Sequence, residues 1–218
     1  MRWGRTRYDF LRPVQWLVLL LGDSTLPLEL FGRRSGRESR GHRFHANHAV
    51  SIAAPSDYIE ALRQAKVIAD VDERRAQVAE QVSQLQGKGE QVALSKELLD
   101  EVTGLVEWPV ALRGSFDQGF LDVPAQALIS AMKTHQKYFH ITDQETGALL
   151  PAFITVANIE SQQPSEVIAG NERVIRPRLS DAAFFFANDK QSTLSSRQER
   201  LSSVIFQREL GSLLDKTH

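Results

Sequence analysis

The clearest helical pattern in the chain begins near Asp57 and ends near Gly87. Apolar residues recur at helical spacing from Tyr58 to Leu85, and most positions between them are polar or charged. Ser56 or Asp57 supplies an N-cap, and Gly87 stands where a C-terminal glycine commonly ends a helix. The pattern predicts one or two long helices that pack through a single apolar stripe.

Further helical patterns occupy much of the remaining chain. Ser95 is a predicted N-cap for a helix that continues through Leu105. Pro124 suits the first position of another helix, because its missing N–H would have no helical partner there. The last third is predicted to be mostly helical, over 179–186 and again over 194–210.

Strand patterns lie between these helices. The apolar run 14–21 predicts a core strand that ends in a glycine turn. The β-rich runs 138–142 and 152–157 flank residues 143–147, whose turn-forming side chains predict a hairpin. A strand and a turn are also predicted within 110–120. The predicted fold class is therefore α+β, with a mixed or antiparallel sheet packed by long helices.

Composition narrows the class of protein. The chain has 218 residues, a hydrophobic content of 42%, a charged content of 24% and a formal net charge of -1. These values are typical of a globular protein and exclude a disordered or strongly basic chain. The absence of cysteine from the sequence excludes disulfides, thiolate catalysis and Cys-based metal sites, and it fits a reducing cytoplasm.

The arginines before the apolar run 14–21 imitate the start of a signal peptide. No small-x-small cleavage site follows, because the next residues after Gly22 are Asp23, Ser24 and Thr25. The run is also shorter than the roughly 20 residues that a spanning helix needs. We therefore predict a buried strand, with no membrane partner.

The first part of the chain is rich in arginine, although the whole chain is nearly neutral. Residues 32–41 read as a polar, glycine-punctuated loop that could wrap an anionic partner, and a solvated face is the alternative. The cations of this region that we single out are Arg33, Arg34, Arg37, Arg40 and Arg43.

Three histidines, His42, His45 and His48, raise the question of a metal-dependent hydrolase. On a helix this spacing spreads the three imidazoles over about 120°, and no carboxylate accompanies them. We therefore predict no metal site. The sequence also contains no P-loop, no Gly-x-Gly-x-x-Gly motif and no Gly-x-Ser-x-Gly motif. No catalytic residue is predicted in this chain.

Two other segments combine cations, amides and aromatic side chains. Residues 132–139 (MKTHQKYF) suit phosphate contact and base stacking, or a helix end whose aromatics enter the core. Residues 170–186 (GNERVIRPRLSDAAFFF) carry three arginines beside acids, so that an internal ion-pair network is the alternative to nucleic-acid binding.

These segments resemble signatures of the beta subunit of bacterial heterotetrameric glycyl-tRNA synthetase. Five such words stand in the family's order and cover essentially the whole chain. They are 1–3 with 10–14, 41–44, 101–103 with 106–109, 132–139 and 170–186.

The resemblance implies a central fragment of a longer subunit, with residues before Met1 and domains after His218. It implies that residues 1–190 form a body similar to the editing-type module of the phenylalanyl-tRNA synthetase beta chain. Residues 191–218 would begin a helical, HD-like domain. Pro177 replaces a small helix-forming residue of the family, and we expect a helix to start there.

The resemblance also implies that this chain supports aminoacylation by holding tRNA(Gly). Glycyl-adenylate formation, with ATP and Mg²⁺, belongs in this family to the alpha subunit, so no cofactor is expected here. The implied partners are the alpha subunit, tRNA(Gly) and the rest of the beta subunit, in the cytoplasm. An architectural module with tRNA bound elsewhere is the alternative. The predicted tRNA-binding residues are Arg33, Arg34, Arg37, Arg40, His42, Arg43, Lys133, His135, Gln136, Lys137, Asn171, Arg173, Arg176 and Arg178.

Overall fold

The computed structural model describes residues 7–9 and 12–217. The residues outside this description are 1–6, 10, 11 and His218, and they include part of the first motif of the family resemblance. The strands are β1 (Leu17–Val18), β2 (Leu20–Leu21), β3 (Ser24–Thr25), β4 (Glu29–Leu30), β5 (Arg33–Gly36), β6 (Glu38–Arg40), β7 (Ala49–Ser51), β8 (Glu90–Val92), β9 (Val110–Ser115), β10 (Phe139–Asp143), β11 (Leu149–Ala157), β12 (Ile205–Gln207) and β13 (Gly211–Ser212).

Six α-helices and four short turns of other helix types fall within the described residues. The α-helices are α1 (Tyr58–Gln64), α2 (Val71–Gln84), α3 (Lys96–Leu105), α4 (Ala125–Ser130), α5 (Pro164–Asp189) and α6 (Leu213–Thr217). The 3₁₀ segments are Pro55–Asp57, Gln118–Asp122 and Ser195–Ser203, and a π-helical segment covers Ala131–Gln136. The fold is thus mixed α/β, as the pattern predicted.

The main sheet has four antiparallel strands in the order β8-β10-β11-β9. The predicted hairpin is confirmed, because β10 and β11 pair across residues 143–147. Asp143 Oδ1 closes its turn by accepting hydrogen bonds from the backbone N–H groups of Glu145 and Thr146, at 3.1 and 2.8 Å. These local bonds explain why the turn was readable from the sequence.

Helices cover both faces of this sheet. On one face, Val78 and Val82 of α2 and Val102 of α3 form a buried cluster with Ile141 and Ile154. Successive strand residues point to opposite faces, so the neighbour of Ile154 along β11 belongs to the other cluster. A buried large aliphatic side chain contributes about 1.5–3 kcal/mol, and these clusters therefore hold the layers together.

The second face is covered by α4, the π-helical segment and α5. Phe153 from β11 is fully buried there with Leu128, Ile175 and Leu179. Gly114 of β9 lies under the Phe153 ring, where an added Cβ would stand 2.5 Å from its Cζ atom. A side chain at Gly114 would therefore displace the ring, and the close approach of strand and aromatic requires glycine.

The N-terminal region contains three small sheets, β1-β5-β4, β2-β3 and β6-β7. Their core consists of Val50, Ile52, Leu62 and Ala65, with α1 packed against the strands. The predicted single core strand over 14–21 is wrong. The chain breaks at Leu19 into two strands that pair with different partners, because β1 runs parallel to β5 while β2 turns back on β3.

The arginine-rich segment 32–41 is also not a loop. It forms β5 and β6, and β5 pairs with β4 through a two-residue turn at Phe31 and Gly32, both with positive φ. Turns of this kind match the twist of a hairpin. Gly32 therefore marks a turn between two strands, and the sequence pattern did not reveal the strands themselves.

Two helices, α1 and α2, account for the pattern between residues 57 and 87. The chain leaves α1 through Lys66, which has a φ of 59°. Asp70 then caps α2, because its Oδ1 accepts hydrogen bonds from the N–H groups of Asp72 and Glu73 at 2.9 and 3.0 Å. Since α2 ends at Gln84, Gly87 lies beyond the position predicted for it.

The predictions for α3 and α5 have opposite outcomes. Ser95 does cap α3, with its Oγ accepting from the N–H of Leu98 at 3.4 Å. The predicted helix start at Pro177 is wrong, because α5 begins at Pro164 and continues through Pro177 to Asp189. Pro177 lies on an exposed part of the helix, where water can reach the Arg173 carbonyl that loses its helical donor.

The segment after α5 differs from the continuous helical pattern predicted over 194–210. It comprises the 3₁₀ turn, the β12-β13 hairpin and α6. The Lys216 Nζ lies 3.9 Å from the centre of the Phe206 ring, which joins α6 to β12. None of the helices within residues 7–9 and 12–217 has the length and apolar character needed to cross a membrane.

Candidate nucleic-acid interface

The three arginines of α5 are exposed. Arg173, Arg176 and Arg178 have no salt-bridge or side-chain hydrogen-bond partner among the described residues. At about 100° per residue, Arg173 and Arg176 lie about 60° apart around the helix, while Arg178 lies on the other flank. The ion-pair network that was the alternative for this segment is therefore not formed.

The acids near these arginines are engaged elsewhere or point to solvent. Glu172 Oε1 accepts hydrogen bonds from the N–H and Oγ of Ser115, at 2.8 and 2.9 Å, and so ties α5 to β9. Asp181 is exposed. The helix thus presents three cations at its surface, an arrangement suited to phosphate oxygens.

Asn171 connects α5 to the segment 132–139. Its Oδ1 accepts a 2.7 Å hydrogen bond from the Tyr138 hydroxyl, and its Nδ2 donates to the Val167 carbonyl at 2.7 Å. Burial raises the pKa of Tyr138 to about 12, so that its hydroxyl stays protonated and can donate. Asn171, a predicted tRNA-binding residue, therefore has a structural role, and its amide is already occupied.

The cations of segment 132–139 divide into two kinds. Lys137 adopts a left-handed conformation after the π-helical segment, and its Nζ lies 2.7 Å from Glu101 Oε1. Lys133 and Gln136 are half-buried and His135 is exposed. The pKa of neighbouring His140 is lowered by burial and then by the charge of Lys133, so Lys133 adds positive potential beside a neutral imidazole.

The arginine hairpin, which we define as residues 29–43, presents a second group of cations. Arg34 is highly exposed, with only a loose pair to Glu29 at 3.5 Å. Arg33, Arg40 and Arg43 are also exposed, and the Arg33 Nε makes a long 3.4 Å hydrogen bond to the Val14 carbonyl. These side chains are available to an anionic partner.

Arg37 is the exception within the hairpin. Its Nη2 donates to the Asp23 carbonyl at 2.9 Å and its Nη1 to the Ala53 carbonyl at 3.4 Å. The guanidinium thus joins the β2-β3 turn to the chain after β7. We reassign Arg37 from phosphate contact to holding these strands together.

His42 is also removed from the set of accessible residues, because it is fully buried. Its Nε2 lies 2.7 Å from the Asn158 carbonyl, and its Nδ1 accepts from the N–H groups of Phe44 and His45 at 3.2 and 3.3 Å. This pattern requires a neutral ring with the proton on Nε2. Both nitrogens are used within the protein, which leaves neither for tRNA or for a metal.

The other two histidines do not complete a metal site. His45 Nε2 accepts from the Glu160 N–H at 3.0 Å, and His48 is exposed. Across residues 7–9 and 12–217, the structure brings no three His, Cys, Asp or Glu side chains together to hold a metal ion.

The sequence analysis did not single out Asn158, which makes several long-range hydrogen bonds, or Trp16, which lies beside the arginine hairpin. Asn158 Oδ1 accepts from the N–H groups of Glu107 and Trp108 at 2.7 and 2.9 Å, while its carbonyl holds His42. Trp16 is 43% exposed beside the arginine hairpin. A tryptophan close in sequence to several arginines could have indicated a binding surface. It was overlooked because the run 14–21 was predicted to be one buried strand.

Comparison with known proteins identifies an aminoacyl-tRNA synthetase subunit class. The family model described as glycyl-tRNA synthetase beta subunit matches residues 1–218. The chain belongs to this family.

Relatives are named glycine–tRNA ligase beta subunit and match almost the whole chain. The protein of Chromohalobacter salexigens is 55% identical over 217 residues, covering 99% of this chain and 31% of the relative. Those of Pseudomonas fluorescens and Azotobacter vinelandii are 52% and 54% identical, each over 99% of this chain and 32% of the relative. The chain therefore spans about a third of the length of these relatives.

Proposed function

We propose that this chain is a tRNA-binding part of a glycine–tRNA ligase beta subunit. It would support the ATP-dependent attachment of glycine by holding tRNA(Gly) in position for the alpha subunit. The observation that carries the proposal is the set of exposed α5 arginines without protein partners, in a chain of this family. Arginine binds phosphate oxygens in a bidentate manner, and such contacts position a nucleic acid without reading its sequence.

The exposure of these arginines argues against the purely architectural alternative. An architectural role would use Arg173, Arg176 and Arg178 in internal pairs, as Arg63, Arg75 and Arg113 are used elsewhere in the chain. The ligand set within reach of phosphate is smaller than the sequence predicted. It consists of Arg33, Arg34, Arg40, Arg43, Lys133, His135, Gln136, Arg173, Arg176 and Arg178, with Lys137 shared with Glu101.

The chemistry of adenylate formation is assigned in this proposal to the alpha subunit, together with ATP and Mg²⁺. The sequence supports this division, because it has no phosphate-cradling glycine motif. The proposed partners are accordingly the alpha subunit, tRNA(Gly) and the remainder of the beta subunit, in the cytoplasm. This chain would contribute binding energy and orientation instead of a reacting group.

We also propose that residues 1–190 resemble the editing-type module of the phenylalanyl-tRNA synthetase beta chain, and that residues 191–218 begin an HD-like domain. The support is a layered α/β body that ends with α5, followed by a segment that packs on itself. Limited proteolysis is expected to cut first between Lys190 and Arg197. First cleavage inside the α5 or β11 region would contradict this boundary.

Titration of the 218-residue chain with tRNA(Gly) tests the proposal. Binding should weaken steeply from about 50 to 200 mM salt, with each phosphate contact contributing about 0.7–0.9 to the slope of log K against log salt. The Arg34→Gln variant should lower this slope by about 0.7–0.9, the contribution of one phosphate contact. The matched control is Arg200→Gln, which removes an exposed arginine after α5. No binding at the lowest salt would overturn the proposal.

A further inference from the structure

Two grooves meet at Trp16, on the surface formed by the small N-terminal sheets. The apolar groove, of about 510 Å³, is lined among others by Trp16, Leu20, Ile52 and Tyr58. The basic groove, of about 400 Å³, is lined among others by Trp16, Arg33 and Arg40. Both volumes lie within the range of small-ligand sites, and Trp16 and Ser39 belong to both grooves.

The strand pairing explains why these side chains meet. The parallel pairing of β1 with β5 aligns Leu17 with Ser35, which brings Trp16 beside the arginine hairpin. In β6, Ser39 pairs with Val50 and Arg40 with Ala49, so the floor of both grooves is a fixed antiparallel ladder. The site is thus built from residues far apart in sequence and does not depend on one loop.

The side chains that line the two grooves differ on either side of Trp16. On one side, Tyr58 and aliphatic side chains line the groove together with Ser39, and Trp16 itself remains 43% exposed. On the other side, the lining residues include two arginines, Arg33 and Arg40, and one acid, Glu38. An amphipathic ligand with a flat apolar part and an adjacent anionic part matches this division, and a ribose hydroxyl could donate to Glu38.

We infer that the two grooves form a subsite for one unpaired nucleotide of the bound RNA. Its base stacks on Trp16 in the apolar groove, and its phosphate lies between Arg33 and Arg40 in the basic groove. This inference rests on the proposed function and refines it from phosphate contact to recognition of single-stranded RNA. A base inside a duplex is already stacked on its neighbours, so a paired segment does not fit the aromatic wall.

The test compares a single-stranded RNA hexamer with an RNA duplex of similar charge, each titrated into the 218-residue chain. The Trp16→Ala variant loses one base–aromatic stack, so it should bind the hexamer about 5- to 150-fold more weakly than wild type. Trp16→Phe should retain most of the affinity, and duplex binding should change little in either variant. The double variant Arg33→Gln with Arg40→Gln should lower the salt slope for the hexamer by one to two contacts, at about 0.7 each.

Matched controls separate stacking from folding. Leu105→Ala removes an exposed apolar side chain from the end of α3 and should leave hexamer affinity unchanged. Thermal unfolding reports whether Trp16→Ala folds. If it does not, Trp16→Leu provides the measurement, because leucine fills the apolar groove without an aromatic face.

The outcomes distinguish this inference from the proposed function. Hexamer affinity within about twofold of wild type in Trp16→Ala or Trp16→Leu, where one lost stack predicts at least 5-fold, overturns the nucleotide subsite. Equal dependence of hexamer and duplex binding on Trp16 overturns it as well. If tRNA(Gly) still binds with its salt dependence in those cases, the proposed function stands alone. If tRNA(Gly) does not bind at all, both fall.

Discussion

Arginine side chains make different contacts in two regions of this molecule, the segment from α1 to β9 and the helix α5. In the segment from α1 to β9, Arg63 pairs with Glu73, Arg75 with Asp100 and Arg113 with Glu90. In α5, Arg173 follows Glu172 directly and Arg178 lies three residues before Asp181, yet none of the three α5 arginines forms an ion pair with a described residue. Adjacency in sequence therefore does not decide whether an arginine is internal or available; the direction in which its element faces decides it.

The ion pairs in the segment from α1 to β9 also lower the pKa of the acids Glu73 and Glu90. The hydrogen bond from Arg113 is the main reason that the pKa of Glu90 is lowered, and the Gly87 N–H adds to the effect. Arg113 Nη1 and Nη2 lie 2.5 and 2.7 Å from the two Glu90 oxygens. Such pairs use the hydrogen-bonding capacity of the guanidinium within the fold, whereas the three α5 arginines make no side-chain hydrogen bond or ion pair with a described residue.

The largest expected effect comes from breaking this internal pair. Arg113→Ala leaves the Glu90 carboxylate, whose side chain is 18% exposed, without its main partner. We expect a loss of about 1–2 kcal/mol in the free energy of unfolding, reduced from fully buried values because Arg113 is partly solvated. Urea denaturation measures it. A change below about 0.5 kcal/mol, which is typical of surface substitutions, would contradict this prediction. It would show that Arg113 contributes no more to stability than an exposed arginine does.

The pH dependence of the same pair gives a smaller, more specific effect. The folded-state pKa of Glu90 is lowered, so its contribution is present above the ordinary glutamate value and is lost as pH falls through the folded-state value. The stability gap between wild type and Arg113→Ala should therefore narrow as pH is lowered from neutral into the acid range. Denaturation series at several pH values test this, and a gap independent of pH would contradict it.

The smallest effect on stability is expected in α5. Replacing Arg173, Arg176 and Arg178 together by Gln removes no protein partner and keeps good helix formers. The free energy of unfolding of this triple variant should stay within about 0.5 kcal/mol of wild type. A cooperative loss of the size expected for Arg113→Ala would show that these side chains are internal after all.

The sequence predicted those parts of the fold that depend on local interactions. The Ser95 cap of α3 and the 143–147 hairpin turn each use a side chain within three residues of the backbone group that it binds. Signals of this range can be read from composition and spacing alone. The β-rich run 152–157 was likewise visible in the sequence, and it lies within β11.

Long-range pairing limited the prediction of the N-terminal region. The strands β5 and β6 are polar, and β5 ends in a glycine. They form because β1, β4 and β7 supply partners from elsewhere in the chain. His42 was predicted as a tRNA-binding residue because it belongs to the motif 41–44 of the resembling family. Its burial depends on the Asn158 carbonyl, 116 residues away along the chain, which no local pattern reveals.

Salt dependence of tRNA(Gly) binding tests most directly whether the α5 arginines are phosphate ligands. The variant with Gln at 173, 176 and 178 should bind with a log–log slope reduced by about 2.1–2.7, for three contacts at about 0.7–0.9 each. Its unfolding free energy should remain that of wild type. An unchanged slope in this folded variant would contradict the account and return α5 to a purely architectural role.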